Sequence, residues 1–458
     1  MVFSGIPFLY CFLPAVLAVY FLVPRGWKNG VLLISSLLFY GWGEPKLLWL
    51  MVLTIAVFYL CGLAIERDPG RKKFWLSISV ASGLGLLAVF KYADFFLGSV
   101  AALTGLGIPL LRIALPVGIS FYTFQCISYT VDVYRGTVPA QTNPIRFGAY
   151  VALFPQLIAG PIVRYVDVAR ELDSREHSWE GAWLGARRFL TGLGKKVLLA
   201  DNFALLIRLF RENGDKSLAF YWMYALAFAL NLYFDFSGYS DMAIGLGRIL
   251  GFRFPEHFNY PYLSRSVTEF WRRWHMTLGG WFRDYVYIPM GGNRVSRGRW
   301  LCNILTVWML TGLWHGAAWN FVLWGLLFAA LLLAEKVLPL EKLPDVLRRV
   351  LTLLAIVFSF VLFNAESLSQ AGSDMACLLG LGGLPLGSAE TWYLLKSYAV
   401  LFAVGILGAT PLPRNLARRM ESTRLGRALE LPAMVLLLLL CTAYLVDGSF
   451  SSFLYFRF

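Results

Sequence analysis

The residues best placed to do chemistry lie between positions 269 and 319. The chain has only four histidines, and two of them fall in this stretch, 40 residues apart. His275 closes the run Glu269-Phe270-Trp271-Arg272-Arg273-Trp274-His275, and His315 sits in Trp314-His315-Gly316 inside an apolar segment. A protonatable side chain among residues that belong in lipid or in a protein core is costly and marks a functional site. A neutral imidazole can take a proton from a hydroxyl as general base, and its reference pKa of ~6.5 suits neutral pH. A second histidine or a tyrosine can polarise a carbonyl. The arginines between 272 and 299 can hold the phosphates of an anionic donor. This set permits acyl transfer from a phosphate-bearing thioester. It equally permits proton relay or transport, and the residues by themselves leave both open.

Other chemistries are not expected. The chain has no Gly-x-Ser-x-Gly elbow, no His-Glu-x-x-His and no complete phosphate loop. Gly192-Leu193-Gly194-Lys195-Lys196 lacks the Ser or Thr that would hold magnesium, so ATP hydrolysis is not expected. The six cysteines are scattered through apolar segments without zinc spacing and read as small buried hydrophobes, so no metal is expected.

The elements that must position the histidines are helices in a membrane. The chain is 58% hydrophobic and only 15% charged, where a soluble domain carries roughly 25% charged residues. Several apolar runs reach the ~20 residues needed to cross a bilayer. The expectation is an all-α polytopic membrane protein forming one domain over 1–458, with no linkers or repeats. The net charge of +14 comes from Arg and Lys in short loops between apolar runs. That is the positive-inside pattern rather than a nucleic-acid surface, and it places both termini outside. Residues 147–163 are interrupted by Phe154-Pro155-Gln156-Leu157-Ile158-Ala159-Gly160-Pro161, a break tolerated where backbone lines a cavity or is buried in protein. Asp173-Ser174-Arg175-Glu176-His177 reads as an exposed cytoplasmic loop. The span 218–236 leads into Asp235 and Asp241, which read as bracketing a Ser237-Gly238 turn, with Arg248, Arg253 or the following arginines as partners. Residues 264–299 hold seven arginines against Glu269 and Asp284 and are rich in aromatics. They read as a partly embedded, re-entrant segment. Residues 301–334 form an apolar run of 34 residues with basic flanks. As one helix it would be about 50 Å long, beyond a ~30 Å hydrocarbon core. A hairpin that starts and ends inside, turning near His315-Gly316, fits better.

At these residues the chain resembles the membrane-bound O-acyltransferase superfamily, and within it the bacterial alginate O-acetyltransferase membrane subunits. The matching strings run from Tyr233 to Gly245, from Thr268 to His275, through Trp281-Phe282-Arg283-Asp284-Tyr285 and Gly291-Gly292-Asn293-Arg294, and through Gly312-Leu313-Trp314-His315-Gly316. Pro116-Val117-Gly118-Ile119-Ser120-Phe121-Tyr122 and the terminal Phe453-Leu454-Tyr455-Phe456 extend the likeness over nearly the whole chain. The resemblance implies a bundle of about 10–12 transmembrane helices with re-entrant segments around a central tunnel. It implies a cytoplasmic acyl thioester donor such as acetyl-CoA, no resident cofactor, and an acceptor on the outer side of a bacterial inner membrane. His315 matches the hallmark histidine and would be the general base, and His275 would orient or polarise the donor. Arg272, Arg273, Arg283, Asn293 and Arg294 would bind the donor, and Asp235, Asp241 and Trp314 would shape the tunnel. Related systems pass the acyl group to an extracytoplasmic transferase of the serine-hydrolase type, and Tyr455 would be the residue that carries it. The acceptor would be an exported polysaccharide such as alginate. D-alanylation of teichoic acid, acetylation of peptidoglycan and a transporter or flippase without acyl chemistry stand as alternatives. One departure is Met276-Thr277-Leu278-Gly279-Gly280, where relatives often carry a serine-containing string.

Overall fold

The computed structural model describes residues 3–447. Tyr455 and the other terminal residues of the relay reading lie outside them. Among the described residues there are helices and loops and no strand. Six helices among the described residues are long and apolar enough to cross a membrane: Pro45–Arg67, Lys72–Thr104, Trp319–Val337, Asp345–Asn364, Ala389–Gly408 and Arg424–Val446. A shorter apolar helix covers Phe8–Leu22. Their outward faces are hydrocarbon. Leu60 is 61% exposed, Val400 75% and Leu436 57%, an arrangement stable only against lipid. The same surface explains two cysteines. Cys11 and Cys302 are exposed rather than buried, and Cys377 is half-buried, because an apolar side chain on this protein need not be inside.

The described chain forms two compact units, one from its start to Phe189 with Ser240–Pro255, the other Leu190–Tyr239 with everything from Glu256 onward. In the first unit, Leu48–Arg67, Lys72–Leu87 and Ile119–Arg135 pack together. Gly62 permits this: a Cβ there would lie 2.6 Å from the Tyr129 ring. The helix begun at Lys72 runs on through a π-turn at Ala88–Tyr92 to Thr104. Lys91 in that turn donates to Ser120 Oγ at 3.2 Å. The break after Ala152 is observed, since Pro144–Ala152 is followed by irregular chain up to residue 164. His177 is exposed as expected, yet anchored. Its Nε2 lies 3.0 Å from the Tyr20 hydroxyl, to which Arg175 Nε also donates at 3.1 Å.

The aspartate pair departs from expectation. No turn occurs at Ser237-Gly238, because Leu218–Ile249 is one unbroken helix of 32 residues. Gly238 serves close packing instead: a Cβ would sit 2.8 Å from the Gly192 carbonyl oxygen and 3.2 Å from Lys195 Cβ. Nor are the partners Arg248 or Arg253. Asp241 pairs with Arg188 at 2.9 Å within the first unit. Asp235 pairs with Lys196, which also reaches Asp201, both at 2.8 Å, within the second. Lys196 is 1% exposed. A charge buried this deeply persists only when paired, and the short π-helix Lys195–Ala200 places Lys196 between the two carboxylates.

The run 301–334 is a hairpin. Arg297–His315 ends at His315, Gly316 turns out in extended conformation, and Trp319–Val337 returns. The two helices meet backbone to backbone. A Cβ on Gly325 would lie 3.0 Å from the Trp308 carbonyl carbon, and one on Gly312 would lie 3.0 Å from the Phe321 carbonyl carbon. Small residues at such a crossing are how membrane helices associate closely.

Candidate active site

The site is built in the second unit from several pieces of chain. His315 is the last residue of Arg297–His315 and is 6% exposed. His275 is 1% exposed and lies between the short helices Val267–Trp271 and Met276–Phe282. Its backbone is left-handed, φ 48° and ψ 45°, which costs a non-glycine residue about 1–2 kcal/mol. Strain of this kind persists where surroundings over-determine it and concentrates at functional sites. The surroundings are visible. Leu278 N and Gly279 N both donate to the His275 carbonyl oxygen at 3.1 Å. Upstream, Ser266 Oγ caps the Glu269 amide at 2.9 Å, and the Glu335 carboxylate accepts from the Val267 and Thr268 amides and from Thr268 Oγ1. Because Glu335 belongs to Trp319–Val337, the hairpin bearing His315 is fastened to the turn bearing His275.

The two histidine rings are 6.0 Å apart, centroid to centroid. Trp314 lies 5.5 Å from His275 and 5.0 Å from His315. Trp324 and Phe363 close on His315 at 5.1 and 5.5 Å. Phe236, next to the ion-paired Asp235, packs edge-on against His275 at 4.8 Å. Burial in this aromatic cage lowers His275 well below the ordinary imidazole range, with His257 and His315 adding to the effect. A ring held neutral can accept a proton or a hydrogen bond.

Beside His275 lies a cavity of about 240 Å³, lined by Trp271, Phe282, Tyr287, Ile304, Trp308 and Thr311 among others, with Arg283 on its wall. The arginines proposed for the donor therefore separate. Arg283 borders the cavity and pairs with Asp284 at 2.7 Å. Arg273 is taken up by Glu269 at 2.7 Å. Burial raises Glu269, but hydrogen bonds from the Arg265 amide and the Arg273 side chain, with both guanidinium charges, outweigh it and hold the carboxyl below its usual range. Arg272, Asn293 and Arg294 are exposed and do not line the cavity. Asp235 and Asp241 are structural partners of Lys196 and Arg188, and Trp314 is part of the cage.

Sequence reasoning missed His257. It lies in the irregular segment after Ile249, 1% exposed, with its ring 4.4 Å from that of His275. The available signal was its rarity, a fourth histidine set between Phe254 and Phe258 in a stretch with no helical period.

The structure thus presents a buried histidine pair, one member of which, His275, lines a largely apolar cavity with Arg283 at its wall. The comparisons give the class. The family model for the membrane-bound O-acyltransferase family matches residues 34–364, and the chain belongs to that family. It is a multi-pass membrane O-acyltransferase. Among its relatives, the "Probable alginate O-acetylase AlgI" of Azotobacter vinelandii is 39% identical over the whole of both chains. The protein of the same description in Pseudomonas aeruginosa is 44% identical over 83% of this chain and 75% of its own. The peptidoglycan O-acetyltransferase of Helicobacter pylori is 34% identical over 84% and 81%.

Proposed function

We propose that this O-acyltransferase takes an acetyl group from a cytoplasmic thioester, acetyl-CoA or a related donor, and delivers it across a bacterial inner membrane to hydroxyls of an exported, alginate-like polysaccharide. The observation that carries the reading is the buried pair His275 and His315, 6.0 Å apart, with His275 lining the cavity. In the reaction His315 accepts the proton of the attacking hydroxyl. The oxygen forms its bond to the thioester carbonyl carbon, the carbon–sulfur bond breaks, and the thiolate leaves and takes up a proton. His275 orients the thioester carbonyl, and Arg283 at the cavity wall faces the anionic part of the donor. No resident cofactor takes part. The relatives' descriptions, acetylases of alginate and of peptidoglycan, support acetyl as the group and an exported polymer as the acceptor. Tyr455, in the terminal segment, would carry the acetyl as a phenyl ester to an extracytoplasmic transferase of the serine-hydrolase type. The termini would both face that side.

The experiment uses the purified full chain in proteoliposomes. Labelled acetyl-CoA, or an acetylated carrier protein, is supplied on one face, and acetyl is measured on the polysaccharide acceptor and the extracytoplasmic transferase enclosed together on the other. Transfer from acetyl-CoA supports the reading. Transfer from the carrier alone corrects the donor, and thioester turnover with acetyl appearing only on the donor's own side overturns the transmembrane route.

A further inference from the structure

His257 has no role in the transfer as set out above, yet it is the histidine nearest to His275. Its Nδ1 lies 2.8 Å from Thr277 Oγ1. Its Nε2 is buried and has no hydrogen-bond partner among the described residues. A buried polar atom without a partner costs on the order of 1–3 kcal/mol, so space-filling alone is a poor account of an imidazole here. The segment that carries it is lashed to the His275 turn by two backbone hydrogen bonds. Met276 N donates to the His257 carbonyl at 3.0 Å and Asn259 N to the Arg273 carbonyl at 2.9 Å. Phe236 lies over both rings, 5.0 Å from His257 and 4.8 Å from His275. The left-handed backbone of His275 removes it from any helical register, so its ring direction is set by what it packs against. That is Phe236, Trp314 and, nearest of all, His257 at an interplanar angle of 66°.

We propose that His257 is a positioning residue for acyl transfer: its ring, locked in rotation by Thr277, braces the His275 imidazole in its working orientation. The inference rests on the assignment of His275 to the reacting centre. Nothing in it requires His257 to touch the donor or the acceptor.

The test is the kinetics of the purified full chain. His257→Leu keeps the bulk and loses the hydrogen bond to Thr277, whereas His257→Asn keeps a polar atom near the position of Nδ1. The expected result is a fall in kcat of about tenfold in His257→Leu, with KM for acetyl-CoA within about twofold and recovery of most activity in His257→Asn, as a sub-ångström displacement of a catalytic group would give. In a His275→Gln background, adding His257→Leu should produce no further loss, because the residue acts through His275. Equal activity of His257→Leu and wild type, or full additivity with His275→Gln, overturns the proposal. Full activity of His275→Gln alone overturns the underlying reading instead. Should His257→Leu not yield monodisperse protein, Thr277→Val and Thr277→Ser decide. A loss in the first restored in the second supports the brace, and wild-type rates in both overturn it.

Discussion

Gly312 offers the sharpest handle on the geometry, because it lies one helical turn before His315 and has no side chain that could take part in the reaction. A methyl at 312 would sit 3.0 Å from the Phe321 carbonyl carbon and 3.3 Å from Val322 Cα, with the carbonyl oxygen closer still. Ordinary Cβ contacts lie at 3.4–4 Å. Every atom in the way is backbone, so no side chain can swing aside and the two arms of the hairpin must part. The opening needed is on the order of 1 Å, and a misplacement of that size costs about a hundredfold in rate. Overpacking itself costs about 1–3 kcal/mol, which a protein of this size tolerates as a folded molecule. Gly312→Ala should therefore extract as monodisperse protein and lose about a hundredfold in acetyl transfer per folded molecule. Gly298→Ala is the control, since nothing lies within 4 Å of a Cβ there. Activity of Gly312→Ala within twofold of wild type would refute the claim that close helix crossing sets the position of His315.

Two further outcomes follow from the same structure. Lys196→Met leaves Asp201 and Asp235 buried without their shared cation. It should destabilise the protein by about 3–5 kcal/mol, seen as a lowered thermal unfolding midpoint in detergent, and an unchanged midpoint would show that the triad does not hold Leu218–Ile249 in place. The titration of His275 has a fixed sign. Because burial lowers it, its neutral form persists below the ordinary imidazole pKa of ~6.5, so its ring resonances should not shift as pH falls through that value. A titration midpoint for His275 at or above ~6.5 by NMR would contradict it.

The parts of this architecture that were legible in the sequence are those where one physical constraint acts alone. Residues 301–334 are too long for one span and are basic at both ends, so a hairpin broken at His315 was readable. The prolines at 155 and 161 likewise announce irregular chain. The Ser237-Gly238 turn failed because glycine has two uses. Here it serves close approach of Gly192 and Lys195 to a continuous helix, and nothing local distinguishes that from a turn. Lys196 as the partner of Asp235 was hidden for a related reason, since the pairing joins residues 39 positions apart through packing. His257 was the largest omission. Its approach to His275 depends on a left-handed residue and on backbone hydrogen bonds between two irregular segments, and neither leaves a periodic trace.

The most direct test of the whole account is transfer of labelled acetyl from acetyl-CoA to a polysaccharide acceptor by wild-type protein and by His315→Ala, matched for folded molecules. The account predicts that His315→Ala, with the general base removed, loses transfer by at least about a hundredfold. Transfer at the wild-type rate in His315→Ala would contradict it.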